Sequence, residues 1–172
     1  MKTKLTLLFL ILFVSNGYSQ KATKWRSTEM DTMTVAQNMF DDQNFVMAFP
    51  FLNQLQLNHP TDDRLKYMTG ICCLFRENHY EHGLELLLDV YKNNKNAEDI
   101  EYYVALAYHY NDKFEEAIDI VDIYLAKKKL TKPQIRGGEK LKEFCLAKNK
   151  IVPLPDEGKL DDYIKLDPNE EK

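Results

Sequence analysis

Residues 105–118 read ALAYHYNDKFEEAI, and this stretch decides the fold. Small residues, Ala105 and Ala117, stand on either side of a polar turn, and the aromatic Phe114 follows that turn directly. Apolar residues before and after the turn recur at spacings of three and four, which is typical of helices that are buried along one face. The stretch therefore predicts two antiparallel helices that pack closely at their small residues.

The same arrangement occurs twice more in the chain, at steps of 34 and 35 residues. Equivalent positions of the three units are the small residues Ala36, Gly70 and Ala105, the aromatic residues Phe45, Tyr80 and Phe114, the small residues Ala48, Gly83 and Ala117, and the apolar residues Leu52, Leu87 and Val121. The second unit is one residue longer, near 76–78 in its turn. Because neither helix of a unit can bury its apolar face alone, the pairs are predicted to stack into a solenoid.

On these residues the chain resembles tetratricopeptide repeat (TPR) proteins over about residues 29–129, although Gly83 stands where the family usually has Ala. The resemblance implies an all-α fold, an α-solenoid of three TPR-like helix pairs. A capping helix is expected to follow from about Lys132 to Asn149, because terminal repeats need a cover for their apolar face. Gly137-Gly138 disfavour a helix interior, which leaves a start after them as the alternative.

The first 19 residues have the features of an export signal. Lys2 and Lys4 precede an apolar run, LTLLFLILFV, and the small residues Gly17 and Ser19 form a cleavage site. The run is about half as long as a membrane-spanning helix requires, so an uncleaved anchor is the less favoured alternative. We expect an exported protein without an integral span in the mature chain.

The boundaries of the other segments follow from where the repeats begin and end. Residues 20–28 form a short N-terminal extension, and residues 29–150 form the repeat domain with its capping helix. Residues 151–172 form an acidic tail, with seven acidic and three basic residues in 156–172, and are predicted to be disordered.

Charge and composition exclude several classes of function. The chain has 23 Lys and Arg against 27 Asp and Glu, so bulk electrostatics disfavour nucleic acid and favour a cationic partner. The sequence contains no Gly-rich phosphate loop, nucleophile elbow or candidate triad. We expect no enzyme, no cofactor and no small-molecule substrate.

A narrower resemblance concerns location. The run YMTGICCLF, the third repeat and the closing QIRGGEKLKEFCLAKNKIVPLP resemble the repeat region of Bacteroidetes-type envelope proteins, which often carry an OmpA-like domain. This sequence contains no such domain, so cell-wall anchoring is not implied. The resemblance implies a periplasmic or outer-membrane-associated location in a Gram-negative bacterium, with a protein or peptide of the cell envelope as partner.

In the TPR family the first helix of each pair lines the concave surface. The corresponding positions here, which we call the inner strip, are Met33, Gln37, Phe40, Tyr67, Ile71, Leu74, Phe75, Tyr102, Leu106, His109 and Tyr110. Because a large apolar surface is unfavourable in water, an exposed strip of this apolar and aromatic composition must be covered by a partner or by another part of the chain. We expect a groove that binds a helical or extended peptide. Alternatively, the chain is a structural spacer whose own tail covers the groove through residues 160–166.

Three cysteines, Cys72, Cys73 and Cys145, cannot all pair within one chain. They are interpreted as small buried apolar residues. A metal-dependent or redox protein that uses Cys72, Cys73 and His79 is the alternative. No CxxC or HExxH spacing supports a metal site, so none is predicted.

Overall fold

The computed structural model describes residues 24–149 of the chain. Seven α-helices occupy this range: α1 (Ser27–Asp41), α2 (Phe45–Asn58), α3 (Asp63–Cys73), α4 (Tyr80–Asn93), α5 (Ile100–Tyr110), α6 (Phe114–Leu125) and α7 (Lys132–Ala147). No strand occurs between residues 24 and 149, so the all-α prediction is confirmed. The predicted leader, residues 1–19, and the acidic tail, residues 151–172, lie outside the described residues.

Each helix packs mainly against the helices before and after it in the sequence, and α5 also contacts α7. One continuous cluster of buried apolar side chains extends from Met33 in α1 to Cys145 in α7. The core is therefore shared along the row of helices. None of the helices within residues 24–149 has both the length and the apolar character needed to cross a membrane.

The turns that precede α2, α4 and α6 share one backbone feature. Phe45, Tyr80 and Phe114 are the first residues of α2, α4 and α6, as the repeat predicted. Two positions before each of them the backbone is left-handed, at Gln43 (φ 59°), Asn78 (φ 65°) and Asp112 (φ 59°). Residues other than glycine rarely adopt this conformation, so its recurrence at one position indicates a common turn geometry.

The extra residue of the second unit lies in the turn, as predicted. Residues 74–79 join α3 to α4, whereas residues 42–44 join α1 to α2 and residues 111–113 join α5 to α6; one of the three additional residues is the insertion, and the other two arise because α3 ends two residues earlier in the repeat. Because the longer connection lies outside the helices, the spacing of the packed positions within α3 and α4 is unchanged.

Small residues set how closely paired helices approach. Ala36, Ala48, Ala105 and Ala117 have 0% of their surface exposed. Between α3 and α4 the contact is closer still: a Cβ atom added at Gly83 would lie 2.8 Å from the Cβ of Cys73 and 3.0 Å from the carbonyl oxygen of Gly70. Glycine stands at position 83 because the neighbouring backbone leaves no room for alanine.

Helix α7 begins at Lys132, as predicted, and continues through both glycines, so the alternative start after them is excluded. Thr131 caps it: the Gln134 side chain accepts a hydrogen bond from the Thr131 backbone at 2.8 Å. A Cβ atom at Gly138 would lie 2.7 Å from Cδ2 of Leu125, so this glycine permits close contact between α6 and α7. That contact offsets the low helix propensity of glycine.

The start of α1 is fixed to the end of α2 by Glu29, which is largely covered by its neighbours. Its carboxylate accepts hydrogen bonds from the Arg26 backbone at 2.8 Å, the Arg26 side chain at 2.9 Å and Asn58 at 3.1 Å. Nε2 of His59 lies 3.3 Å from the same carboxylate, and the His59 ring stacks on Trp25. The hydrogen bonds from Arg26 lower the pKa of Glu29 to about 2.

The contact at Gly83 generates a first prediction. We expect Gly83→Ala to lower the free energy of unfolding by about 1–2 kcal/mol, because overpacking outweighs the gain in helix propensity. Gly138→Ala is the matched control: its Cβ would meet only side-chain atoms, which can move, so its cost should be smaller. Urea unfolding followed by circular dichroism measures both. Equal stability of Gly83→Ala and the parent would contradict the close contact.

Glu29 generates a second prediction, on pH. Its folded pKa lies below its ordinary value of 4.5, so the ionised carboxylate stabilises the fold above that value, and this stabilisation disappears as pH falls toward 2. We expect Glu29→Gln to be less stable than the parent at neutral pH, with a difference that shrinks between about pH 4.5 and 2. Asp31→Asn, an exposed carboxylate on the same helix, is the control. A difference that stays constant with pH would contradict this assignment.

Candidate functional site

The structure divides the inner strip into two groups. Seven of its residues are buried in the core: Met33, Ile71, Leu74, Tyr102, Leu106, His109 and Tyr110. The reason is geometric, because α3 packs between α2 and α4, and α5 packs against α4, α6 and α7, so that neighbours cover most of each helix. These seven side chains are core residues and do not line an open groove. The other four, Gln37, Phe40, Tyr67 and Phe75, are half-buried.

A cleft of about 530 Å³ lies between α1, α3 and α5. We call it the cleft; its lining residues are Gln37, Phe40, Asp41, Gln43, Phe45, Arg64, Tyr67, Met68, Glu98, Asp99 and Tyr103. Only three of them belong to the inner strip. Its walls come from helices that alternate along the sequence, so the packing of α2 and α4 between them determines the width of the cleft.

The residues predicted from the sequence did not include the charged residues that line the cleft, although helical spacing identifies two of them. Asp41 lies four residues after Gln37, and Arg64 lies three residues before Tyr67. Residues at these spacings share a helix face, so extending the inner strip by one turn in each direction would have included both. Glu98 and Asp99 precede the first residue of α5, where helical spacing gives no direct signal.

Aromatic rings form the apolar part of the cleft. Phe40 meets Phe45 edge to face at 5.3 Å between ring centroids, and Tyr67 meets Tyr103 in the same way at 6.0 Å. Phe75 stacks on Phe45 at 4.5 Å and is not among the residues that line the cleft. The rings of the lining are therefore held by edge contacts that orient them.

One wall of the cleft is a polar chain between α1 and α3. The Arg64 guanidinium donates to the side-chain oxygen of Gln37, whose amide nitrogen donates to Asp41 at 2.6 Å. Arg64 stands in the first turn of α3 and is exposed. This chain fixes the Gln37 side chain across the gap between the two helices and places Arg64 on the same wall as Asp41.

A second wall of the cleft is the connection between α4 and α5, which is held by hydrogen bonds from α3 and α7. The Tyr67 hydroxyl donates to the backbone oxygen of Glu98 at 2.7 Å. Asp99 has a left-handed backbone, φ 46°, and its carboxylate accepts from Nε2 of Gln134 at 2.9 and 3.1 Å. Side chains from α3 and α7 thus fix a segment that would otherwise be an exposed connection.

The carboxylates of Glu98 and Asp99 give this wall a negative charge. Burial, together with the carboxylates of Asp99 and Glu98, raises the pKa of Tyr103 to about 12. Burial, Tyr103 and the same two carboxylates raise the pKa of Tyr67. Both tyrosines therefore stay neutral at physiological pH and present hydroxyl groups beside the two carboxylates.

The residues of the redox alternative lie apart from the cleft. Cys72 and Cys73 are buried in α3, and His79 precedes α4 with its ring 5.0 Å from that of Phe49. Burial raises the pKa of both thiols, that of Cys73 to about 12. Between residues 24 and 149 no three His, Cys, Asp or Glu side chains are grouped so that they could hold a metal ion.

A buried pair that the sequence did not reveal joins α5 to α7. Nδ1 of His109 lies 3.2 Å from Sγ of Cys145, and both side chains are covered. Burial raises the pKa of the Cys145 thiol to about 11, so it is protonated at neutral pH. The pair acts as a packing contact between helices and lies away from solvent.

Comparison with models of protein families, with curated proteins and with solved structures gives no match for this chain. The chemistry of the cleft therefore follows from the side chains that line it. Its described lining contains aromatic rings, amides, three carboxylates and one guanidinium, and no His, Cys, Ser or Thr. These groups suit recognition by contact, hydrogen bonding and charge.

The buried thiols give a third prediction. Since burial keeps all three cysteines protonated, we expect an aromatic disulfide reagent to modify the folded protein slowly at about pH 8. In guanidinium, which unfolds the protein, all three thiols should react as fast as the thiol of free glutathione. This unfolded sample is the control. Rapid modification of Cys72 or Cys73 in the folded protein would instead support the redox alternative.

Proposed function

We propose that this chain is an exported, non-catalytic protein–protein interaction module that binds a helical or extended segment of an envelope protein in the cleft. One observation carries the proposal: three helices that alternate along the sequence form one cleft with oriented aromatic rings and exposed polar groups. Interaction surfaces of proteins are enriched in such aromatic residues and in arginine.

We further propose that the helices form three TPR-like pairs in an α-solenoid, with α7 as its cap. Three features support this arrangement: helices pack with their sequence neighbours, an aromatic residue begins each second helix, and a left-handed residue recurs two positions earlier. In solenoids of this kind the first helices of successive pairs line one surface. The position of the cleft between α1, α3 and α5 agrees with that expectation.

The binding surface proposed here is more polar than the apolar and aromatic groove expected from the sequence. Phe40 and Tyr67 remain as apolar anchors, whereas Asp41, Arg64 and Glu98 add charge. A segment that binds here must therefore satisfy charges as well as bury apolar side chains. The export signal in residues 1–19 and the envelope resemblance support a periplasmic or outer-membrane-associated location.

Two alternatives remain as competing outcomes. A structural spacer would have its own tail in the cleft, and a redox protein would use the buried cysteines. The tail residues 156–172 carry seven acidic and three basic residues, a charge balance that does not suit a cleft with three carboxylates. The burial of Cys72 and Cys73 does not favour redox chemistry with a partner in solvent.

Position-specific photocrosslinking tests the proposed function. A photoreactive phenylalanine analogue replaces Gln37, Arg64 or Glu98 in the cleft, and, as controls, the exposed Asp119 of α6 or Glu139 of α7. We expect one envelope protein to be captured from the cleft positions and not from the controls, because only the cleft positions contact the bound segment. Thermal melts of each variant exclude unfolding as the cause.

Two results would contradict this proposal. Adducts of the same pattern from cleft and control positions would indicate non-specific contact. Adducts only with the chain's own residues 151–172 would favour the spacer.

A further inference from the structure

One carboxylate of the cleft is unpaired. Glu98 is exposed, and among residues 24–149 no side chain forms a hydrogen bond or an ion pair with its carboxylate. Both oxygens of Asp99, by contrast, accept from Gln134. Asp41 accepts from Gln37 on the wall that also holds Arg64. Among the three carboxylates of the cleft, that of Glu98 is therefore the one without such a partner, although Glu98 also borders a second depression that is lined by Lys95, Lys127 and Lys129.

The backbone that carries this exposed carboxylate is held in place. The hydrogen bond from Tyr67 fixes the backbone of Glu98, and the Gln134 contact fixes the next residue. A charged group on a fixed backbone loses less conformational freedom on binding than one on a mobile loop, because only its side chain is ordered by the partner. The aromatic pair of Tyr67 and Tyr103 lies on the same wall.

A lysine or arginine side chain matches this arrangement. Its aliphatic stem can lie against the rings while its charged end reaches a carboxylate. Arg64 is tied to Gln37 of α1, so its charge disfavours a cation beside that pair, and Glu98 is left as the favourable position. Three carboxylates against one guanidinium give the cleft a net negative charge.

We propose that the cleft binds a lysine or arginine side chain of the partner segment, with its charged end at Glu98 and its stem against Tyr67 and Tyr103. This inference rests on the proposed function and specifies the chemistry of the partner. The occupant is therefore a segment of another protein in which the basic side chain is flanked by an apolar side chain that packs against Phe40. The acidic tail of the chain itself has the wrong charge balance for this position.

Synthetic peptides test the inference on the full mature chain. The probe is an acetylated, amidated peptide of repeating Lys-Phe-Gly units, with counterparts that carry Gln or Glu in place of Lys. We expect the Lys peptide to bind about fivefold more tightly than the Gln peptide, and the Glu peptide to bind most weakly. Isothermal titration calorimetry at low and high salt measures the affinities, and added salt should reduce the preference.

Matched variants locate the interaction. Glu98→Gln should remove the preference for the Lys peptide over the Gln peptide, whereas Glu139→Gln, the same change at an exposed site on α7, should retain it. Arg64→Gln should strengthen that preference, because a repelling charge is removed. The sign of this last effect separates a cation site at Glu98 from an anion site at Arg64.

Several results would overturn the inference. If Glu98→Gln preferred the Lys peptide over the Gln peptide as strongly as Glu139→Gln does, the inference would be wrong. It would also be wrong if the Glu peptide bound most tightly, or if none of the three peptides bound. Equal binding of the Lys and Gln peptides would also overturn it, while a partner captured at the cleft positions would leave the interaction module in place. Failure of the cleft positions to capture any partner would instead contradict the proposed function itself.

Discussion

Close packing at small residues between paired helices is the constraint on which the rest of this structure depends. Where Gly70 faces Gly83, the helices are so close that one added carbon would meet backbone. The alanines at the equivalent positions of the other pairs are fully covered. Helices that approach this closely bring their apolar faces into contact along their length, and burial of those faces supplies most of the favourable free energy.

The cleft follows from that packing. Because α2 and α4 occupy the spaces between α1, α3 and α5, those three helices are separated by a gap that their side chains only partly fill. The chain from Arg64 to Gln37 crosses the gap at one wall, and Tyr67 reaches the Glu98 backbone at the other. The polar and aromatic side chains of the cleft are thus carried by helices whose spacing is determined by the packing of the core.

The regular part of this structure was predictable from the sequence. Phe45, Tyr80 and Phe114 marked helix starts because an aromatic residue after a polar turn recurs at nearly constant steps. The start of α7 at Lys132 was also predicted, but the presence of Gly138 inside the helix is explained by its close contact with Leu125, which the sequence does not show. Local propensity is a weak prior that tertiary packing overrides.

The candidate site was predictable only in part. Helical spacing placed Ile71 and Leu106 on the inner strip, but spacing does not report how wide an arc the adjacent helices cover. Both proved to be buried. Glu98 could not be found by spacing, because its position depends on the Tyr67 hydrogen bond, a contact between residues far apart in the sequence.

Helix α7 connects the stability of the domain to its cleft. Leu141 and Cys145 complete the apolar cluster, and Gln134 on the same helix holds Asp99, next to Glu98. Opening α7 would therefore expose the end of the core and release the wall of the cleft together. By thermodynamic linkage, a ligand that requires the fixed wall must in turn stabilise the docked position of α7, even though it touches none of that helix.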